Sequence, residues 1–236
     1  MKNKFTAIVL AGGKGSRMNT TIAKQYLLLA GKPVLYYSLA CFQQSDPIED
    51  IILVVGDGQE DYVREQITEK YQLTKVRRIV PGGKERYDSV RNGLNALQEE
   101  KECGQYVLIH DGARPFLTQE IIDRICREVL TEKACAVGMP VKDTIKITDT
   151  EGYVASTPDR RTVWQVQTPQ AFDLNLIREA YQNWEDSGEK NGFCITDDAG
   201  MVERFTEQKV KMVEGSYRNI KITTPEDLEI GERFLS

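Results

Sequence analysis

Short apolar runs recur along the chain, and stretches with a helical period separate them. The runs at residues 6–11 (TAIVLA), 50–56 (DIILVVG), 76–80 (VRRIV), 106–110 (YVLIH) and 134–141 (ACAVGMPV) read as buried strands. The spacing between them predicts helices over 33–44, 59–71, 85–98 and 118–131. Strand and helix in alternation indicate βαβ units and a mainly parallel sheet with helices on both faces. Ligands of such sheets sit at the carboxyl ends of the strands. Residues 12–17, 81–86 and 111–115 each directly follow a strand, so they are expected along one edge.

The pattern changes between 141 and 167. Ile145 and Ile147 alternate with polar neighbours, the chain turns at Glu151 and Gly152, and extended character resumes from Tyr153 to Thr157. This reads as a two-stranded hairpin, and such a unit is marginal in water unless it leans on its own body or on a second subunit. Beyond Gln170 the pattern predicts helices over 174–186 and 197–205, strands over 209–213 and 219–222, and a last helix opening at Thr224 with Pro225 in its first position. The expected organisation is one α/β domain over 1–236, with a β-arm at about 142–166. There is no internal repeat or low-complexity segment.

Composition narrows the class of partner. The 236 residues are 40% hydrophobic and 28% charged, enough for a full core. A net charge of -5 argues against a general nucleic-acid or anionic-membrane surface, so basic residues that bind anions must be local. Cys41, Cys103, Cys126, Cys135 and Cys194 show no CxxC spacing, which suggests neither a disulfide framework nor a zinc site and fits a reducing cytoplasm. The apolar run of residues 7–11 is too short for a signal-peptide core, and no segment approaches the ~18 apolar residues of a membrane span.

Three places could carry chemistry. The first is the glycine loop in "IVLAGGKGSRMNTTIAKQYL". Met18 stands where a dinucleotide-binding G-x-G-x-x-G would need glycine, and a P-loop template finds no match. What remains is Gly12, Gly13 and Gly15, with Lys14, Arg17 and Lys24, which suits either a polyphosphate cradle or a plain strand-to-helix connection with solvated lysines. The second is "IHDGARP". Asp111 at a strand end suits a Mg²⁺ ligand, because Mg²⁺ takes one or two carboxylates and completes its shell with phosphate and water. The competing role is an ion pair with Arg114, and the single histidine, His110, reads as a packed residue rather than a base. The third is "PGGKERYDSVRNGL". Gly82 and Gly83 permit close backbone approach to a flat ligand such as a base, and Ser89 lies on the first turn of the next helix; the alternative is a simple loop with Arg86 and Arg91 in solvent. Asp197 and Asp198 read as caps of the helix that begins there.

Taken in order, "LAGGKGSRM", "AKQY", "GGKERYDSV", "HDGARP", "PVKDTIK", "DRRTVWQVQTPQAF", "ITDDAGMVE" and "NIKITTPEDL" resemble the cytidylyltransferases that act on 2-C-methyl-D-erythritol 4-phosphate in isoprenoid biosynthesis. The likeness runs from about residue 5 to 233. It implies a Rossmann-like nucleotidyltransferase with a protruding β-arm exchanged in a homodimer, and transfer of CMP from CTP to methylerythritol phosphate with Mg²⁺. It further implies that Arg17 and Lys24 stabilise the triphosphate in the transition state. Ala11, Gly12, Gly13, Lys14 and Gly15, with Gly82, Gly83, Ser89 and Asp111, would hold the nucleotide, Asp111 also holding the metal. Thr144 and Arg160 would reach the acceptor in the neighbouring subunit's site, and Thr168 and Lys221 would place it for attack. Ala23 departs from the family, which usually has proline there.

A phosphate monoester has a second pKa near ~6 and is largely dianionic at neutral pH, so it needs no general base. The difficulty is electrostatic, and positioning plus cations is the remedy. Ribitol 5-phosphate is the nearest rival acceptor on the same framework. A nucleotide-sugar pyrophosphorylase shares only the first block, and a non-catalytic nucleotide-binding protein would not require Arg17, Lys24, Asp111 and Lys221 together.

Overall fold

A computed structural model describes residues 4–13, 23–98, 105–188 and 195–235 of the chain. Strands β1 (Phe5–Ala11), β4 (Ile48–Val55) and β6 (Tyr106–Asp111) form the middle of a seven-stranded sheet. Ile8, Val9, Ile52, Leu53, Leu108 and Ile109 are almost wholly buried, because helices cover both faces; this is why these strands read as continuous apolar runs rather than alternating ones. Alternate side chains enter two different cores. Ala7 and Val9 pack with Leu39 and Phe42 of α1 (Val34–Gln44) and Ile122 and Ile125 of α4 (Gln119–Glu132). Ile8 packs instead with Val90 and Leu94 of α3 (Arg86–Gln98) and with Ile177 and Trp184 of α5 (Leu174–Ser187).

With β5 (Val76–Pro81), β7 (Ala134–Pro140), β10 (Trp164–Asp173) and β11 (Lys211–Glu214) added, the strand order is β11-β7-β10-β6-β1-β4-β5. The β1 to β5 half and the β11 to β7 pair are parallel, whereas β10 runs antiparallel to both β6 and β7. The chain leaves β1 toward β4 and returns on its other side as β6. The crevice between the ends of β1 and β6 is therefore the switch point at which α/β sheets bind ligands, and the register pairs Leu10 with Asp111 there.

The structure corrects some expectations. Local pattern does not predict the long strand β10, because its residues alternate poorly around Thr168 and Pro169, where the register with β7 shifts. Nor does it predict a short hairpin, β2 (Leu28–Leu29) with β3 (Lys32–Pro33). Residues 219–222 are not a strand: they are held by single bonds, such as Ile222 N–H to the Ala113 carbonyl at 2.8 Å, rather than by a ladder. The predicted helix after residue 59 forms as α2 (Glu60–Val63) continuing into a π-helical turn over Arg64–Glu69. The arm is present as β8 (Ile147–Thr148) paired with β9 (Val154–Ser156), and both of its strands are exposed. No helix among the described residues is long and apolar enough to cross a membrane.

Candidate active site

Three strand ends meet at the site. After β1 the chain continues as Gly12 and Gly13; after β5, Gly82 N–H donates to the Val55 carbonyl at the end of β4, at 2.6 Å. A Cβ on Gly82 would stand 3.0 Å from that carbonyl and 3.1 Å from Ser89 Oγ, so only glycine fits without displacement. Ser89, on the first turn of α3, fixes this loop from within: its Oγ accepts the Gly83 N–H at 3.0 Å and donates to the Glu85 carbonyl at 3.2 Å. Gln25, in the 3₁₀ turn Lys24–Tyr26, donates its side-chain amide to the Ala11 carbonyl and so ties the turn carrying Lys24 to the end of β1.

The departure at Ala23 is explained by its backbone. Ala23 has φ -60°, the value a proline ring would impose, and its carbonyl accepts the Tyr26 N–H at 2.9 Å. A proline would fit at this position, and Ala23 takes a φ compatible with one without the ring.

Asp111, the last residue of β6, is the electrostatic centre. Lys221 Nζ lies 2.7 Å from its Oδ2, Arg86 Nε 3.4 Å from its Oδ1, and Arg114 Nε 3.9 Å from its Oδ2. Burial alone would push the Asp111 carboxyl up, but the Arg86 and Lys221 cations outweigh burial and hold it well below the usual carboxylate range. The expected Asp111–Arg114 pair is thus the longest of the three contacts, and Arg114 instead donates Nη1 to the Asn219 carbonyl at 2.8 Å. Arg86, which the simple-loop alternative would leave in solvent, is mostly buried and also reaches Asp198 Oδ2 at 2.8 Å; Arg91 pairs with Asp88 and Glu185.

His110 has no access to a reacting group. It is fully buried, and its ring nitrogens meet Thr168 Oγ1 at 3.1 Å and the Arg114 carbonyl at 3.3 Å. The Arg114 carbonyl can only accept, so Nε2 carries a proton and donates to it; in the neutral ring Nδ1 then accepts the Thr168 hydroxyl proton, while Thr168 Oγ1 accepts the Asp111 N–H at 3.0 Å. Burial pushes the imidazole down to about 4, with Asp111 opposing the shift only in part. Thr168 is itself steadied by Asn219, whose Nδ2 donates to the Thr168 carbonyl at 2.9 Å.

Two adjoining clefts open on Asp111. One, of about 460 Å³, is lined by Ala11, Gly12, Gly13, Lys24, Gly83, Ser89 and Lys221 among others. The other, of about 430 Å³, is lined by Arg114, Gln167, Thr168, Gln170 and Asp197 among others. Arg86, Asp111 and Lys221 form the wall shared by both. The structure thus brings together Ala11, Gly12, Gly13, Lys24, Gly82, Gly83, Ser89, Asp111, Thr168 and Lys221. Thr144 and Arg160 are exposed on the arm and line neither cleft. Lys14, Gly15 and Arg17 lie outside the described residues. The part played by Arg86, Gln25, Gln170 and Asp198 is not legible in the sequence, since nothing in local spacing signals which distant carboxylate an arginine will meet.

The residues present fit one Mg²⁺. Among the described residues no three His, Cys, Asp or Glu side chains converge, which leaves no all-protein cage. A single buried carboxylate beside a polyphosphate-sized cleft is the set that Mg²⁺ accepts when phosphates complete its shell.

The sequence model of one protein family, 2-C-methyl-D-erythritol 4-phosphate cytidylyltransferase, matches residues 5–236. The chain is 49% identical over 230 residues to the protein of that name from Lachnospira eligens, covering 98% of each chain. It is also 49% identical over 232 residues to that from Lachnoclostridium phytofermentans, covering 98% of this chain and 96% of the relative. Among solved structures, that of 4-diphosphocytidyl-2C-methyl-D-erythritol synthase from Anaerococcus prevotii superposes with a TM-score of 0.84 at 34% identity, over 100% of this chain and 99% of the other. The cytidylyltransferase from Thermus thermophilus gives 0.76 at 26% identity, over 99% and 98%. The site described above therefore sits in a chain that belongs to the 2-C-methyl-D-erythritol 4-phosphate cytidylyltransferase (IspD) family.

Proposed function

We propose that the chain transfers CMP from CTP to 2-C-methyl-D-erythritol 4-phosphate, releasing pyrophosphate. The observation that carries this reading is the shared wall of Arg86, Asp111 and Lys221 between a glycine-lined cleft and a second polar cleft. The nucleotide takes the first cleft. Amides of Gly12 and Gly13 and the Lys24 ammonium face its triphosphate, and the loop of Gly82 and Gly83, braced by Ser89, faces its base. The acceptor takes the second cleft, where Thr168 stands in the lining, Arg114 offers donors and Lys221 reaches across from the shared wall. An acceptor phosphate oxygen attacks the α-phosphorus, the bond from that phosphorus to the bridging oxygen breaks, and pyrophosphate leaves with the electron pair.

No proton has to be removed for this step, because the acceptor is already dianionic near neutrality. Accordingly, His110 is neutral and fully engaged, and the thiols of Cys41, Cys126 and Cys135 are pushed up to about 12 by burial and are poor nucleophiles. The rate gain falls to cations held in place before the anions meet. Asp111 would hold Mg²⁺, which supplies further neutralisation of the phosphates when bound.

The arm fits a homodimer. Ile147, Tyr153 and Val154 are 52%, 70% and 59% exposed on a hairpin that has almost no body of its own to cover it. A second copy would cover these side chains and bring Thr144 and Arg160 to the partner's acceptor cleft. Free Cys41, Cys126 and Cys135 are compatible with a reducing, cytoplasmic setting. The test is direct: purified protein with CTP, Mg²⁺ and methylerythritol phosphate should release pyrophosphate. Release with ribitol 5-phosphate in its place, and none with methylerythritol phosphate, would reassign the acceptor; no release with either would overturn the reading.

A further inference from the structure

Asp198 is the first residue of α6 (Asp198–Phe205), yet its side chain does not cap that helix. Asp197 does so, with Oδ1 accepting the Gly200 N–H at 3.0 Å. Nor does the Asp198 carboxylate dock the helix. Gln170 docks it instead, since its Oε1 accepts the N–H groups of Asp198 at 3.1 Å and Ala199 at 2.8 Å, and its Nε2 donates to Asp197 Oδ2 at 2.8 Å. What the Asp198 side chain touches is Arg86 Nη2 at 2.8 Å and, at a long 3.5 Å, the Tyr181 hydroxyl.

Arg86 stands in the wall shared by the two clefts, where two anions must meet. Its guanidinium has two carboxylates within reach. The contact to Asp198 is 2.8 Å and that to Asp111 is 3.4 Å, so Asp198 holds the fork and Asp111 is left with a looser contact. The Asp198 side chain is only 1% exposed and cannot exchange Arg86 for water. A planar guanidinium held by one carboxylate is fixed in direction, as an ammonium would not be.

We propose that Asp198 is a positioning residue for nucleotidyl transfer: it anchors Arg86 as a preorganised cation between the clefts and keeps that cation from closing on Asp111. This rests on the reading of Asp111 and its clefts given under the proposed function. In Asp198→Asn the charge that competes for Arg86 is gone while the shape is kept, so Arg86 shifts to Asp111, the fixed cation is lost from the junction and Asp111 is less available to the nucleotide complex.

A double-mutant cycle tests this, read by kcat and KM for CTP and, separately, by the calorimetric affinity for CTP with Mg²⁺ in the absence of acceptor. Asp198→Asn is expected to lower kcat/KM by roughly 10- to 100-fold, the order associated with an ångström-scale misplacement of a catalytic group, and to weaken CTP binding. The same substitution made in an Arg86→Gln chain, where two neutral amides then face each other, is expected to change both readouts by less than about twofold, since residues acting through one another are not additive; circular dichroism checks that each variant of the cycle is folded. Equal losses in the two backgrounds, or no loss in the native one, would overturn the role of Asp198 alone. A native chain that releases no pyrophosphate, or an Asp111→Asn variant with full activity, would overturn the reading of the site and this inference with it.

Discussion

Lys221 Nζ lies 2.7 Å from Asp111 Oδ2, although 110 residues separate the two in the chain. Asp111 ends β6 by regular strand pairing, whereas Lys221 sits in an irregular segment that is anchored on both sides: Asn219 bonds Thr168, and Ile222 N–H bonds the Ala113 carbonyl. The pair bridges the two clefts and supplies a cation to whichever anion approaches. Lys221→Met is therefore expected to lower kcat/KM for transfer by ~10²–10³, the loss typical of removing one preorganised charge-stabilising group. The effect on thermal stability should be small, about 1 kcal/mol or less, because the ammonium is part-exposed and Arg86 remains beside Asp111. Steady-state kinetics and a thermal melt check both parts.

Lys24 lines the glycine cleft beside Gly12 and Gly13. If its charge matters most as negative charge builds on the leaving pyrophosphate, Lys24→Ala should lower kcat by more than it raises KM for CTP. A change in KM alone would assign Lys24 to ground-state binding.

Arg160 is exposed on the arm, where its Nη1 donates to the Lys142 carbonyl at 3.3 Å, and it lines neither cleft of its own chain. Should it serve a partner's site, an Arg160→Ala chain and a Lys24→Ala chain, each of low activity, would regain active sites when mixed and allowed to exchange subunits. Up to about a quarter of native activity is expected, on the reasoning that half of the mixed pairs are heterodimers with one intact site of two. No recovery after exchange, shown by mass spectrometry of the mixed dimer, would place the arm on its own subunit.

The buried His110 makes stability fall with acid. Its folded value is about 4, below the ~6.5 of an unfolded imidazole. Above pH ~6.5 both states are neutral and the group contributes nothing. As pH falls from ~6.5 toward 4, the unfolded state takes up a proton that the folded state refuses, which costs up to about 3 kcal/mol. Thermal melts from pH 7 to 4.5 should show a steeper decline for the native protein than for His110→Gln. Equal slopes would mean that His110 is not held neutral.

Much of the fold follows from local pattern. Strands β1, β4, β6 and β7 and the helices between them announce themselves because a strand buried on both faces must be apolar throughout, while a covering helix shows one apolar stripe; β5, read as buried too, is instead a half-exposed edge strand that carries Arg77 and Arg78. The sites after β1, β5 and β6 follow too, since a parallel sheet places its strand ends along one edge. Strand β10 is not legible in this way, because a bulged antiparallel strand inserted between β6 and β7 shows no regular period where Gln167, Thr168 and Pro169 pass the site.

The sequence by itself determined the glycines that let backbone approach a ligand, the carboxylate at the end of β6, the basic residues near them and the ordered blocks that mark the family. Each of these is a property of residue type and of short-range order in the chain. Only the tertiary structure decided which charges meet: that Asp111 leans on Lys221 and Arg86 more closely than on Arg114, that Asp198 takes Arg86 while Asp197 caps α6, and that burial holds His110 neutral beside Thr168. Ion pairs and donor chains depend on distance and burial, which the crossing of β10 past β6 and the return of the chain at Lys221 set, and local sequence carries no record of either.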